Sequence, residues 1–133
     1  MRLRLAFDPK LAHAMEAGAD MFLMPSRYEP CGLNQMYSMR YGTVPIVRNT
    51  GGLADTVTHS TPPAIANGQA TGFVFDDYTA EALTEAVEQA LHLYRQRPEI
   101  WEQIKHNGMR QDFSWARSAA EYEKLYREML GVS

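Results

Sequence analysis

Several residue types and patterns that mark common protein classes are scarce or missing in this chain of 133 residues. A single cysteine, Cys31, excludes an internal disulfide and is compatible with the reducing cytoplasm, where we expect the protein. The net charge of -3 and the lack of a Lys/Arg cluster argue against nucleic acid as a partner. The apolar runs are too short to cross a membrane, and the first residues do not resemble a secretory signal.

Patterns for common cofactors are also missing. Neither G-x-G-x-x-G nor the Walker A pattern occurs, which argues against a dehydrogenase or a P-loop enzyme. The four histidines are scattered without metal-ligand spacing, and no lysine is marked as a carrier of pyridoxal phosphate. We therefore expect no bound metal and no cofactor. A catalytic Cys31 thiol is not expected either, because no histidine lies near it in the sequence.

The composition is that of one globular domain over residues 1–133, with 45% hydrophobic and 22% charged residues. Short apolar segments at 3–7, 21–24, 44–47 and 73–75 have the character of strands, and helical patterns separate them. This alternation predicts an α/β fold with a parallel, Rossmann-like sheet of about four strands. Three C-terminal helices are predicted to follow the last strand.

Local signals predict the boundaries of the other elements. Asp8 is a good N-cap for a first helix that ends at Gly18. Pro45 suggests that its strand begins late or lies near an edge. Residues 58–72 contain two prolines and an Asn-Gly pair, and they predict irregular surface. The residues predicted to form the buried stripe of the first helix are Leu11, Ala14 and Met15, and the pattern that marks the next helix consists of Leu33, Met36 and either Met39 or Arg40.

The most informative segment is the loop between the strand at 21–24 and the next helix. Pro30 disfavours helical backbone at Glu29, so that carboxylate is expected on extended chain just before the helix. Gly32 permits a close approach of a ligand to the backbone, and a helix N-terminus binds phosphate or sugar oxygens. A carboxylate and an anion site side by side suit a nucleotide sugar.

These motifs resemble those of the bacterial glycogen synthases and plant starch synthases. The resemblance covers essentially the whole chain and is carried by S-R-Y-E-P-C-G-L at 26–33, Y-G-T-V-P at 41–45, T-G-G-L-A-D-T-V at 50–57 and F-S-W at 113–115. It implies the GT-B arrangement of two Rossmann-like domains, and retaining transfer of glucose from ADP-glucose to the end of an α-1,4-glucan. It also implies that the chain corresponds to the final third or so of such an enzyme, a half-domain from its C-terminal part.

The resemblance assigns roles to individual residues. The family's Glu that matches Glu29 contacts the donor glucose and helps to stabilise the charged transition state, so Glu29 is the candidate catalytic residue; its alternative is an ordinary exposed loop carboxylate. Tyr37 stands where many GT-B enzymes carry a second Glu for the ribose, and ribose contact and helix packing both remain open for it. The residues expected to bind the nucleotide sugar are Cys31, Gly32, Leu33, Asn34, Tyr37, Thr50, Gly51 and Gly52.

Other parts of the expected enzyme lie outside the resemblance or remain ambiguous. The family places a basic Arg/Lys pair against the diphosphate, upstream of the matching region, so it stays open whether the chain alone is an enzyme. Arg48 is expected either to reach a phosphate or to be solvated. Two alternative functions are a non-catalytic nucleotide-sugar-binding or assembly module and a GT-B enzyme for another sugar nucleotide. The last helix, within 114–133, is expected to pack toward the family's N-terminal domain, and a homodimer is expected for the chain alone.

Overall fold

The computed structural model describes residue 5 and residues 7–132. Three strands and seven helices are present among them. In chain order they are α1 Pro9–Gly18, β1 Met21–Met24, α2 Asn34–Tyr41, β2 Val44–Arg48, α3 Gly51–Thr56, α4 Pro62–Ala66, β3 Phe73–Phe75, α5 Ala80–Gln96, α6 Pro98–Met109 and α7 Trp115–Leu130. The predicted α/β alternation and the three C-terminal helices are confirmed.

The three strands form one parallel sheet in the order β1-β2-β3. Met21 pairs with Val44 and Ile46 pairs with Phe73, so each strand lies beside the next one in the sequence. The predicted strand at 3–7 lies for the most part outside the described residues. The sheet places the loops after β1 and β2 at the same edge, which is where parallel α/β sheets bind their ligands.

Pro45 lies in the central strand, so the expectation that it marks a late start or an edge is wrong. The reason is that successive residues of β2 direct their main-chain nitrogen atoms alternately toward β1 and toward β3. The N–H of Val44 donates to the carbonyl of Asp20 on the β1 side, so the nitrogen of Pro45 faces the β3 side. Pairing with β3 begins only at Ile46, and no ladder hydrogen bond is lost at the proline.

Each face of the sheet has its own buried cluster. On one face, Ile46 and Phe73 pack against α5 and α6, and the Phe73 ring stacks on Trp101 with 6.2 Å between the ring centroids. On the other face, Val47 packs with side chains of α2 and α3. Helices on both faces of a parallel sheet make the fold Rossmann-like, as predicted.

The predicted stripe of α1 is wrong, because Met15 is 61% exposed and the residue of α1 that is buried is Glu16. The Ser38 hydroxyl donates to Glu16 Oε2 at 2.5 Å, and the Thr43 hydroxyl donates to the Glu16 main-chain oxygen. The hydrogen bond from Ser38 lets the carboxylate lie between two helices, where an unpaired one would be strongly disfavoured.

The stripe of α2 is only partly as predicted. Met39 is buried, but Leu33 is 51% exposed, and two polar side chains, Gln35 and Ser38, are buried instead. Ser38 faces Glu16, and Gln35 faces the preceding loop. The stripe was misjudged because both polar side chains find their hydrogen-bond partners outside α2.

Residues 58–72 are not wholly irregular, since they contain α4. The Thr61 hydroxyl accepts from the N–H of Ala64, and the two prolines occupy the first helical positions. Proline is tolerated there because the N–H of the first helical turn has no partner within the helix. The Pro-Pro pair that suggested a loop therefore marks the start of a short helix.

The last helix, α7, contributes no buried residue. Its apolar side chains are exposed, from Trp115 at 88% to Leu125 at 49%. The hydroxyl of Ser114 accepts from the N–H of Arg117 and caps the start of the helix, and Gly131 ends it in the left-handed conformation. Helix α7 is therefore well formed locally but adds nothing to the core of the described residues.

We predict that the free energy of unfolding depends on pH through His59. Its Nδ1 accepts the N–H of Val74 at 3.0 Å, and partial burial lowers the pKa of His59 against the opposing influence of Asp76. Because the folded pKa lies below that of the unfolded chain, this contribution is complete above about pH 6.5 and is lost as the pH falls below that value. Urea unfolding between pH 8 and pH 5 measures it.

The control for this prediction is the exposed His92, which lies on α5. His59→Gln keeps an acceptor for the Val74 N–H and should flatten the fall in stability with acid, whereas His92→Gln should not. Equal pH profiles for the wild type and His59→Gln would contradict the assignment.

Candidate functional site

The Glu29 loop, residues 25–33, leaves the carboxyl end of β1 and enters α2. Glu29 is partly buried, and Gly32 has a φ of 69°, which is left-handed backbone that favours glycine. The loop after β2, with Thr50, Gly51 and Gly52, leaves the sheet at the same edge. The structure therefore brings the two predicted loops together.

The two loops contact each other through their backbones. A Cβ built on Gly51 would lie 1.9 Å from the carbonyl oxygen of Glu29, and one built on Gly52 would lie 1.8 Å from that of Cys31. No side chain fits at either distance. The Gly-Gly pair, which by sequence alone is a weak turn signal, is thus required by the close approach of the Glu29 loop.

We predict that Gly52→Ala lowers the free energy of unfolding by about 3 kcal/mol or more. Overpacking typically costs about 1–3 kcal/mol when neighbouring side chains can move away. The new Cβ would instead meet the backbone of Cys31, which cannot move as easily. Gly18→Ala is the matched control, since a Cβ there would meet no atom within 4 Å. Gly18→Ala should raise the free energy of unfolding by about 1 kcal/mol or less. Denaturant unfolding compares the two, and equal effects would contradict the contact.

Several backbone donors are free next to Glu29. Within the described part of the chain, the N–H groups of Cys31, Gly32, Leu33 and Asn34 donate to no protein acceptor. The first N–H groups of a helix lack intrahelical partners, and together with the helix dipole they favour an anion. The segment thus has the donors that a phosphate or a sugar oxygen requires.

Tyr37 lies one turn into α2 and is 42% exposed. Its ring lies 5.5 Å from the ring of His13 in α1, in a tilted arrangement. The His13 ring also approaches Tyr41, whose hydroxyl lies 3.4 Å from His13 Nδ1. Tyr37 therefore packs between helices and keeps part of its ring accessible.

Thr50 begins α3 with extended backbone and without a side-chain capping bond. Its carbonyl accepts the N–H of Leu53, and among the described residues its hydroxyl bonds to no other group. The hydroxyl is therefore available to a ligand at the edge that also carries Glu29.

Two residues that hold the Glu29 loop could hardly be recognised from the sequence as important for the site. Arg48 is partly exposed but not free: its Nη1 donates to the carbonyls of Ser26 and Arg27 at 3.3 and 2.7 Å, and its guanidinium lies 5.5 Å from the Tyr78 ring centroid. Gln35 was not singled out at all. Its only signal was a position three residues after Gly32, where an amide in the first helical turn can reach back to the loop.

The described residues show no group of three or more His, Cys, Asp or Glu side chains that could hold a metal ion. Within the same part of the chain, no helix is both long and apolar enough to cross a membrane.

Comparison with known proteins identifies the family. The family model described as glycosyl transferases group 1 matches residues 5–108. The chain belongs to the group 1 glycosyl transferases. The match includes both loops of the site, and with them all the predicted catalytic and nucleotide-sugar-binding residues, and it ends before α7.

The chain is similar over nearly its whole length to bacterial glycogen synthases, as its motifs predicted. It is 57% identical over 130 residues to glycogen synthase of Nitrosospira multiformis and 60% identical over 126 residues to glycogen synthase 1 of Methylococcus capsulatus. These alignments cover 98% and 95% of this glycosyl transferase chain, but 26% and 25% of the relatives. The chain thus spans about a quarter of their length.

Solved glycosyltransferases of the GT-B class share the fold. The catalytic domain of starch synthase IV from Arabidopsis thaliana, bound to ADP and acarbose, superposes with a TM-score of 0.85 and 41% identity. Sucrose-phosphate synthase from Thermosynechococcus elongatus gives 0.65 and 28%. Each similarity covers 96% of this chain, with 26% and 29% of the respective neighbours. The predicted resemblance and fold class are confirmed.

Proposed function

We propose that this chain supplies part of the donor side of a retaining glucosyltransferase of the glycogen synthase type. The reaction moves glucose from ADP-glucose to the non-reducing end of an α-1,4-glucan. The observation that carries the proposal is the contact between the Glu29 loop and Gly51 and Gly52 at the carboxyl edge of the sheet. The loop held by that contact carries the Glu29 carboxylate and, two to five positions later, free backbone donors, which is the combination a nucleotide sugar needs.

The proposed roles follow from the chemistry of the groups. The N–H groups of Cys31, Gly32, Leu33 and Asn34 bind the distal phosphate and the sugar oxygens, where charge develops as ADP departs. The Glu29 carboxylate contacts the donor glucose and stabilises positive charge on the sugar ring. No nucleophile is assigned, because electrostatic stabilisation by fixed groups accounts for these contacts without a covalent step.

The second loop and Tyr37 complete the proposed contacts. The Thr50 hydroxyl and the backbone of Gly51 and Gly52 face the diphosphate or an acceptor hydroxyl. The exposed part of Tyr37 is available to the ribose, while its contact with His13 supports the packing role. Both roles are compatible with a half-exposed aromatic ring.

The donor is proposed to be ADP-glucose because the two bacterial relatives compared above are glycogen synthases and one solved neighbour, a starch synthase, is bound to ADP. We also propose a cytoplasmic setting, with which the single thiol at Cys31 is compatible. Competition between ADP and UDP for the 133-residue chain, followed by NMR, tests the nucleotide. Tighter binding of UDP than of ADP would indicate that the donor is a sugar nucleotide other than ADP-glucose.

A chimera tests the whole proposal. The matching region of the Nitrosospira multiformis glycogen synthase, 130 residues at 57% identity, is replaced by this chain. If the chain provides a competent donor side, the folded chimera transfers labelled glucose from ADP-glucose to glycogen. A chimera that folds and unfolds cooperatively like its parent but transfers no glucose would contradict the proposal.

The chimera also distinguishes the proposed glucosyltransferase function from the alternative of a non-catalytic module. An inactive, folded chimera together with measurable ADP-glucose binding by the chain alone would favour a nucleotide-sugar-binding or assembly module.

We further propose that α7 packs toward the N-terminal domain of a longer enzyme and that the chain alone forms a homodimer. Two observations support this: β1 pairs with a single neighbour, β2, among the described residues, and the apolar side chains of α7 are exposed. Open strand edges and exposed apolar faces both favour association. Light scattering at high concentration tests the dimer, and a monomeric mass would contradict it.

A further inference from the structure

Gln35 is fully buried in the first turn of α2, directly behind the Glu29 loop. Its Nε2 lies 3.3 Å from the carbonyl oxygen of Cys31, 3.0 Å from that of Gly32 and 3.1 Å from the hydroxyl oxygen of Thr56. The amide carries two hydrogens, so these three acceptors share them. One side chain thereby joins the end of the Glu29 loop to α3.

The connection continues to the second loop. The Thr56 hydroxyl donates to the carbonyl of Gly52 at 2.6 Å. Hydrogen bonds therefore run from Cys31 and Gly32 through Gln35 and Thr56 to Gly52. The two loops, whose backbones already touch, are also joined by side chains.

The two ends of the Gln35 amide are not equally satisfied. Gln35 Oε1 is buried and has no hydrogen-bond partner among the described residues. A Cβ on Gly32, whose φ is 69°, would lie 2.6 Å from this oxygen. A buried polar atom without a partner is unfavourable, and native proteins retain few of them. An apolar side chain of the same size would avoid this penalty but would leave the carbonyls of Cys31 and Gly32 without the Nε2 donor, so the contribution of Gln35 lies in its Nε2 bonds.

The other end of the Glu29 loop is held in a similar way. Arg48 donates to the carbonyls of Ser26 and Arg27, just after β1. Side-chain donors thus bind main-chain carbonyls on both sides of Glu29. A loop fixed at both ends presents its N–H groups without having to be ordered by the ligand.

We propose that Gln35 is a positioning residue for the nucleotide-sugar site. It fixes the backbone of Cys31 and Gly32, and through Thr56 that of Gly52, so that the free N–H groups point at one phosphate. The identity of the ligand rests on the proposed function above; the ordering of the loop does not. Gln35 itself touches no substrate.

Backbone amide order parameters of the ligand-free 133-residue chain test the ordering directly. In the wild type, the amides of Glu29 and of Cys31 to Leu33 should have values of about 0.85, as in a rigid backbone. In Gln35→Leu they should fall below about 0.6. The affinity for ADP, measured by NMR titration, should fall about tenfold, the equivalent of one typical hydrogen bond.

The matched control is Gln103→Leu. Gln103 Nε2 also donates to a main-chain carbonyl, that of Ile65 at 3.1 Å, and this bond joins α6 to α4, neither of which belongs to the two loops. This variant should lose stability to a similar degree while the order parameters of the Glu29 loop and the ADP affinity stay unchanged. A general loss of packing would affect both variants alike.

A second variant covers the case in which Gln35→Leu does not fold. Thr56→Val removes the link to Gly52 and leaves the bonds to Cys31 and Gly32, so its loss of order should be confined to residues 50–52. Wild-type order in the folded Gln35→Leu variant would overturn the proposal, as would an equal loss of order in Gln103→Leu. A folded chimera without glucose transfer would count against the proposed function, and the order parameters of the chain alone would still decide the role of Gln35.

Discussion

Glu29→Gln in the active chimera lowers kcat by a factor on the order of 100 or more, and Glu29→Ala lowers it at least as far. Removing one preorganised electrostatic group from an active site has an effect of this size. The substitution by Gln preserves the size of the side chain, and Glu29 is only partly buried, so the fold should persist. Initial rates with ADP-glucose and glycogen, together with the unfolding curve, measure the effect.

The control for this prediction is Glu88→Gln. Glu88 is exposed on α5, far along the chain from the site, and removing its charge should leave kcat unchanged. If Glu29→Gln turned over at a near-normal rate in a folded chimera, Glu29 would no longer be a catalytic candidate, and the loop would retain only a binding role.

The 133-residue chain alone should transfer no glucose to glycogen. A GT-B site uses groups from both sides of the cleft, and the chain spans about a quarter of its relatives. Arg48, at the carboxyl edge of the sheet, already donates to the carbonyls of Ser26 and Arg27. Each charge-assisted contact missing from the diphosphate forfeits roughly 1.5–3 kcal/mol, so ADP-glucose should bind weakly.

Incorporation of labelled glucose measures this prediction, with the chimera as the positive control in the same assay. The prediction would be contradicted if the purified chain incorporated labelled glucose at a rate proportional to its concentration and the Glu29→Gln variant incorporated none. Incorporation that is insensitive to Glu29→Gln would indicate a contaminating enzyme.

The fold and the location of the site could be predicted because their signals are local. Proline and glycine at 30 and 32 mark a strand–loop–helix unit by themselves, and the apolar segments at 21–24, 44–47 and 73–75 have the length of buried strands. The glycines at 51 and 52 were found by resemblance, but the reason for them, contact with the Glu29 loop, appears only in three dimensions.

The buried polar residues could not be predicted, because their partners come from other elements. Glu16 is buried since Ser38 and Thr43, which follow it by more than twenty positions, donate to it. Gln35 has a polar side chain at a position where the helical pattern suggests exposure, yet Thr56 and the preceding loop supply its acceptors. Periodicity identifies apolar faces only, so such residues are missed.

The contacts that shape the candidate site are close together along the chain, and this has a consequence for how the protein folds. Arg48 reaches back to Ser26, Gln35 reaches forward to Thr56, and Gly52 meets Cys31, all within residues 26–56. The chain entropy lost on closing a loop grows with its length, so these contacts cost less chain entropy than contacts between the same residues and the C-terminal helices. We therefore expect the site to form as soon as β1 and β2 pair, before the long C-terminal helices are in place.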